Sequence, residues 1–205
     1  MTDTRNTPCL TRADEQEAAL AATVATRLFE LRKAKGLSFD SLAQRAGVAK
    51  GTLVQIEQQR GNPSISTLCR LAAALEVSVA DLVAPTEATT LAVTLLGCDD
   101  ARQLWTGSSG GTATLLAGTQ GPDMLEIWSW VLMPGESFEA AVHGAGTREL
   151  IHVTEGTLSL TVDGATHLVA AGGSAIALTD RPHGYGNPGT EPLRFTMTVH
   201  EPAAE

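Results

Sequence analysis

The stretch Ser41-Leu42-Ala43-Gln44-Arg45-Ala46-Gly47-Val48-Ala49-Lys50-Gly51-Thr52-Leu53-Val54-Gln55-Ile56-Glu57 decides the fold of the first half of this chain. Leu42, Ala43 and Ala46, then Leu53 and Ile56, recur at helical spacing on either side of Gly47, which supplies a sharp turn. Ala43, Val48, Leu53 and Ile56 can hold two short helices together, which leaves Lys50, Gly51, Thr52, Val54 and Gln55 on the solvent side. A second helix that exposes small and polar side chains at its N-terminal end is the shape that enters a DNA major groove. Gln55 can pair with an adenine edge, Thr52 can hydrogen-bond or offer its methyl to thymine, and Lys50 can reach guanine or a phosphate. Arg60 and the amides at Gly61-Asn62 are placed to grip the phosphate chain.

Outward from this stretch the pattern stays helical. Leu20, Val24, Leu28 and Leu31 form one stripe of a preceding helix that ends near Lys35-Gly36, and Ser38 can cap the helix that follows. Ile65, Leu68, Leu71, Ala72 and Leu75 mark a fourth helix, and Ser78-Val79-Ala80-Asp81 is a capping box that opens a fifth. Residues 1–13 are polar and without period, and are expected to form a disordered arm before a helical domain over 14–84.

These residues carry a family resemblance. Leu31-Arg32-Lys33-Ala34-Lys35-Gly36-Leu37-Ser38, Leu42-Ala43, Gly47-Val48, Thr52-Leu53, Gln55-Ile56-Glu57, Asn62-Pro63-Ser64, Leu68 and Leu75 resemble, over about sixty residues, the XRE or phage-repressor-like helix-turn-helix family. The resemblance implies an ion pair of Arg32 with Glu57 as a structural feature of the DNA head. It places Phe39 at the start of the second helix, a DNA-facing position where the family often has glutamine. It also places Ala49 where a capping serine is common.

Beyond Pro85 the period changes. Residues 85–91 have no apolar anchor and read as a linker. Ala92–Leu96, Ala113–Leu116, Leu125–Met133, Glu149–Val153, Thr157–Val162, Ser174–Leu178 and Leu193–Val199 are short β-prone runs. Asp163-Gly164 supplies a tight hairpin turn. The fold class expected is two-domain α+β: a five-helix all-α domain, then an all-β barrel over 92–205. Pro134-Gly135-Glu136, His143, Gly146-Thr147-Arg148-Glu149, Glu155-Gly156, Gly172-Gly173-Ser174, Pro182-His183, Tyr185 and Asn187-Pro188-Gly189 are similar to the two motifs of the cupin superfamily, a double-stranded β-helix barrel. The resemblance implies His143, Glu149 and His183 as ligands, although the second histidine usual in the first motif is missing. Two imidazoles and a carboxylate suit one divalent transition metal, Fe, Mn, Ni or Zn. The other reading makes them polar pocket residues for an organic ligand. By strand alternation His183, Tyr185 and Asn187 share a face and can line the barrel interior. Trp128 and Trp130 also point one way, most simply into a core or a subunit contact.

Charge is divided along the chain. Its net is −9, yet Thr23 to Asn62 carries seven basic residues against three acids, and from Thr86 onward four arginines face fourteen acids. A basic end on an acidic body suits phosphate binding by that end alone. Three widely spaced cysteines fit neither a disulfide framework nor a zinc knuckle, and no run of 18 apolar residues could span a bilayer. With no signal segment legible, a cytoplasmic location is expected. The expected function is sequence-specific transcriptional regulation by a homodimer on a double-stranded DNA operator, with a small-molecule effector in the barrel. A metal-dependent cupin enzyme of the iron epoxidase type with an appended DNA head is the alternative. In that enzyme type the spacing from histidine to glutamate is shorter than from His143 to Glu149, and a phosphonate-binding cluster of lysine and tyrosine is not found here.

Overall fold

The computed structural model describes residues 12–61, 63–83, 93–120 and 123–203, with side chains from residue 18 onward. The head contains α1 (Arg12–Ala34), α2 (Phe39–Ala46), α3 (Lys50–Glu57), α4 (Ile65–Leu75) and α5 (Val79–Val83). Each boundary has a local cause. The Ser41 N–H donates to Ser38 Oγ at the start of α2, and Gly47 ends it at φ 61, a left-handed value that favours glycine. Ser64 caps α4 by accepting from Thr67 N–H. At α5 the capping box is reciprocal: Asp81 N–H donates to Ser78 Oγ, and Ser78 N–H donates to Asp81 Oδ2, both at 2.9 Å. Val24, Leu28, Leu42, Leu53, Ile56, Leu68, Leu71, Leu75 and Leu82 fill the centre, each at most 2% exposed.

The second half has ten strands: β1 (Arg102–Thr106), β2 (Thr112–Gly118), β3 (Met124–Leu132), β4 (Ser137–Ala140), β5 (Arg148–Glu155), β6 (Thr157–Val162), β7 (Ala165–Ala170), β8 (Ser174–Leu178), β9 (His183–Gly186) and β10 (Leu193–Glu201). Six form one antiparallel sheet in the order β1-β2-β3-β10-β5-β8, and four form another, β4-β9-β6-β7. Alternate residues of β3, β5 and β10 are buried, so Trp128, Trp130, Ile151, Val153, Phe195 and Met197 fill the space between the sheets. Trp130 stacks on Phe195 with centroids 5.8 Å apart and planes 3° from parallel. The pairing Val162↔Ala165 closes a two-residue hairpin in which Asp163 (φ 49) and Gly164 (φ 77) are both left-handed, as its right-handed strand twist demands.

Three expectations change. Helix α1 begins at Arg12, two residues inside the expected arm, whose first eleven residues lie outside those described. Of the strand expected at Ala92–Leu96, the described residues 93–96 have no regular structure, and Val93, Leu95 and Leu96 are exposed, because no described strand pairs with them. Strands β1 and β4 were not foreseen, while β7 and β9 were implied only by the hairpin turn at Asp163-Gly164 and the alternation of His183, Tyr185 and Asn187. The linker at 85–91 lies outside the described residues. Among the described residues no helix is long and apolar enough to cross a membrane.

The head is seated on the barrel. Glu126 on β3 accepts from Ala80 N–H at the start of α5 through Oε1 (3.3 Å) and from Trp128 Nε1–H through Oε2 (3.0 Å). Gly118, at the end of β2, lies so close to α5 that a Cβ built there would stand 2.5 Å from Ala80 Cβ.

Candidate functional site

Two sites emerge, one in each half. In the head, α3 buries Leu53 and Ile56 and leaves Lys50, Gly51 and Gln55 exposed, with Thr52 half-buried between them. The barrel does not cover this edge. A Cβ added at Gly51 would meet nothing within 4 Å, so there is room for another molecule against the start of the helix. Lys50 Nζ rests on Asp40 Oδ2 at 2.8 Å, an exposed pair whose small net energy leaves the lysine exchangeable for a phosphate. Arg60 is exposed beyond the helix end, and Asn62 lies outside the described residues.

Behind that face, Arg32 and Glu57 form a buried two-pronged pair: Nε to Oε1 at 2.6 Å and Nη2 to Oε2 at 2.7 Å. Arg32 Nη1 donates onward to Leu37 O. Phe39 is half-buried with its ring 4.1 Å from the Arg32 guanidinium carbon. It therefore shields the ion pair from one side.

In the barrel, the topology gathers three residues far apart in sequence. Glu149 points inward from β5, His183 opens β9 and pairs with Ala140 and Val162, and the loop bearing His143 is pinned by His143 N–H donating to Thr179 O. His143 Nε2 and His183 Nε2 each lie 3.4 Å from Glu149 Oε1, and the ligating atoms of the trio are within 4.8 Å of one another. His183 Nδ1–H donates to Arg181 O at 2.8 Å, which leaves the lone pair of neutral His183 on Nε2, facing the carboxylate. Glu149 Oε1 and His183 Nε2 are fully buried without a hydrogen-bond partner. Tyr185 O–H donates to the other oxygen, Oε2, at 2.5 Å.

Two lone pairs aimed at one another in a buried site call for a cation between them. Donors each about 2.1 Å from one first-row divalent ion stand about 3–3.5 Å apart, so the 3.4 Å separations fit such an ion. Protons can supply the same charge. Burial pushes the Glu149 carboxyl up, but the two imidazoles outweigh it and hold it at about 2. Burial pulls the His143 imidazole down, and Glu149 more than offsets this, leaving it raised. Burial and then Glu149 raise the Tyr185 hydroxyl well above its usual range, so it stays a donor.

His143, Glu149 and Tyr185 line a cavity whose other walls include Trp128, Trp130, Phe138, Met197 and Val199; His183 is not among the lining residues. Asn187 is not brought there, although it shares the buried face of Tyr185. Its Nδ2 donates to Leu132 O and Glu191 O and its Oδ1 accepts from Gly189 N–H, so its polar atoms are committed to a turn. His152 is exposed on the opposite face of β5 and bonds Ser174. Sequence reasoning missed Glu126 and the helical residues Ile65, Cys69 and Val79, all of which also line the cavity. The one acid in β3, Glu126, buried in a mostly apolar run, was the available signal.

Comparison with known proteins agrees with both halves. Residues 28–82 match the helix-turn-helix family and residues 128–199 the cupin domain family. The HTH-type transcriptional regulator SutR of Escherichia coli (strain K12) is 29% identical over 183 residues, spanning 89% of this chain and 97% of its own. The HTH-type transcriptional regulator PuuR of the same organism is 27% identical over 176 residues, spanning 86% and 93%. A solved HTH_3 family transcriptional regulator from Vibrio cholerae superposes with a TM-score of 0.73 at 30% identity, covering 91% of this chain and 99% of that one. The chain belongs to the HTH_3, or XRE-type, transcriptional regulators that join a DNA-binding helix-turn-helix domain to a cupin domain.

Proposed function

We propose that this regulator senses a small molecule in its barrel, with His143, Glu149 and His183 holding one divalent first-row ion that anchors the ligand and Tyr185 fixing the carboxylate. The observation that carries this reading is the pair of buried, unpartnered atoms, Glu149 Oε1 and His183 Nε2, facing each other across 3.4 Å. The ion would supply a Lewis-acidic point for an oxygen or nitrogen atom of the effector. The chain's own residues do the rest: Arg181 O sets the His183 tautomer, and the Tyr185 hydroxyl leaves Glu149 one free oxygen. The curated relatives reported above are named as regulators, which favours sensing over turnover in this barrel.

On DNA, Lys50, Gly51, Thr52 and Gln55 read the groove while Arg60 and Asn62 grip the backbone, with Phe39 at the rim. Two heads about 34 Å apart on successive major grooves require a homodimer. A second copy has a surface to use: on the outer face of the six-stranded sheet, Ile127, Leu150 and Ile176 lie in one register row through Thr198, all three exposed.

The test combines metal analysis of purified protein with titration of DNA from upstream of its own gene at several salt concentrations. Stoichiometric metal with saturable, salt-dependent DNA binding supports the reading. Metal-free protein, or metal together with substrate-dependent oxygen consumption, refutes it, the latter in favour of the iron enzyme.

A further inference from the structure

The barrel cavity is not a property of the barrel alone. Ile65 and Cys69 from α4 and Val79 from α5 form its roof, and Trp128, Met197, His143 and Glu149 are among its other walls. In this roofed arrangement the cavity is small, about 40 Å³, which is room for about three waters. An organic molecule of even eight heavy atoms exceeds that, and the walls of a close-packed barrel do not stretch. The described contacts between α5 and the barrel include one hydrogen bond and one close approach. Ala80 N–H donates to Glu126 Oε1 at 3.3 Å, and Gly118 admits Ala80 at a distance no side chain would tolerate.

We propose that the effector site is bipartite and latched: its occupant touches Ile65 and Val79 of the DNA head as well as the barrel, and it enters by parting Ala80 from Gly118 and Glu126. Occupancy and the seated head therefore compete. This is the differential affinity for two head placements that a ligand must have to shift DNA binding. The lining also limits the chemistry of the occupant. Its body must be apolar to face Ile65, Val79, Trp128 and Val199. Its roof end must be neutral or cationic, because Glu126 and Glu201 stand there and no lysine or arginine is among the described lining residues. The proposal rests on the sensing role assigned above and adds where the signal crosses between domains.

Cys69 reports the roof. It lines the cavity and is half-buried, and burial followed by the nearby carboxylates Glu126, Glu201 and Glu149 pushes its thiol up, which slows its reaction in the seated state. In full-length protein with Cys9 and Cys98 replaced by serine, the rate of N-ethylmaleimide labelling measures opening. Gly118→Val wedges the latch from the barrel side, and Ala80→Glu opposes Glu126 from the head side. Each should raise the Cys69 labelling rate about tenfold or more, and both should shift affinity for the upstream DNA in the same direction. With circular dichroism showing both variants folded, labelling at the parent rate overturns the latch. Should one variant fail to fold, the other decides. The ligand class is read in the Gly118→Val protein by tryptophan emission, since Trp128 and Trp130 line the cavity. Benzylamine should change it saturably and the equally sized benzoate should not. Equal effects, none, or the reverse order overturn the assignment. A parent protein that binds no DNA refutes the regulatory reading instead, and leaves the labelling result as a test of the roof alone.

Discussion

Replacing Arg32 by methionine tests the claim that the DNA-reading helix is held in place from behind by one ion pair. Arg32 is 4% exposed and its guanidinium makes two short bonds to Glu57 and one to Leu37 O. Removing it strands a carboxylate in the interior. Breaking one side of a buried pair costs about 3–5 kcal/mol, most of it the burden of the unpaired charge. A helical domain of this size has a total stability of about 4–10 kcal/mol, so the head should be close to unfolded. At about 1–1.5 kcal/mol per molar urea its midpoint should fall by about 2–5 M. Glu57→Met should do the same. The double variant should recover all but about 1–3 kcal/mol, the cost of leaving the Leu37 carbonyl without its donor. The two domains can be followed in one sample. Helix content at 222 nm comes almost entirely from the head, whereas all three tryptophans, at 105, 128 and 130, lie in the barrel. The expected result is an early helical transition with an unmoved tryptophan transition. Single losses below about 1 kcal/mol, or a double variant as weak as the sum of the singles, would refute the reasoning.

Three further substitutions separate the roles assigned above. Gln55→Ala should cost about 1–3 kcal/mol on the upstream DNA and relax base choice at one position, whereas Lys50→Ala should weaken all sequences alike and lower the salt slope by about one; competition binding on a randomised library distinguishes them. Tyr185→Phe removes the donor on Glu149 Oε2 without touching a ligand, and should weaken metal binding by about 10- to 100-fold in a chelator competition while leaving DNA binding at low salt unchanged. Asn187→Ala should cost the barrel about 2–3 kcal/mol by tryptophan-monitored urea unfolding, with metal affinity unaltered, because its bonds go to the backbone of a turn.

The head was legible because its determinants are local. The stripe from Leu20 to Leu31, Ser38 and Gly47 at the ends of α2, and the Ser78–Asp81 box each specify a boundary within a few residues of themselves. The barrel was legible where β-branched and apolar runs are long, as in β3, β6 and β10. It was illegible where strands are short or rich in glycine. In β9, Gly184 is required because a side chain would stand 2.8 Å from Phe138 O, and that constraint comes from β4, some forty residues earlier. The trio could be named from its residue types and motif positions, but alternation alone put Asn187 in the cavity. Which of two inward residues faces a ligand and which braces a turn depends on the Pro188–Glu191 loop, which periodicity does not describe. The roof was invisible for the same reason: the apolar positions of α4 read as one core, whereas Ile65 belongs to two surfaces at once.

That double membership bears on how such proteins can be recombined. A chimera that keeps this barrel and receives its first 83 residues from a relative acquires a new DNA head and, with it, a new ceiling over the barrel cavity. Ligand preference and DNA preference are thus not separable parts to be exchanged at the joint near residue 84. Any hybrid sensor built on this scaffold would have to carry Ile65, Cys69 and Val79 across with the barrel.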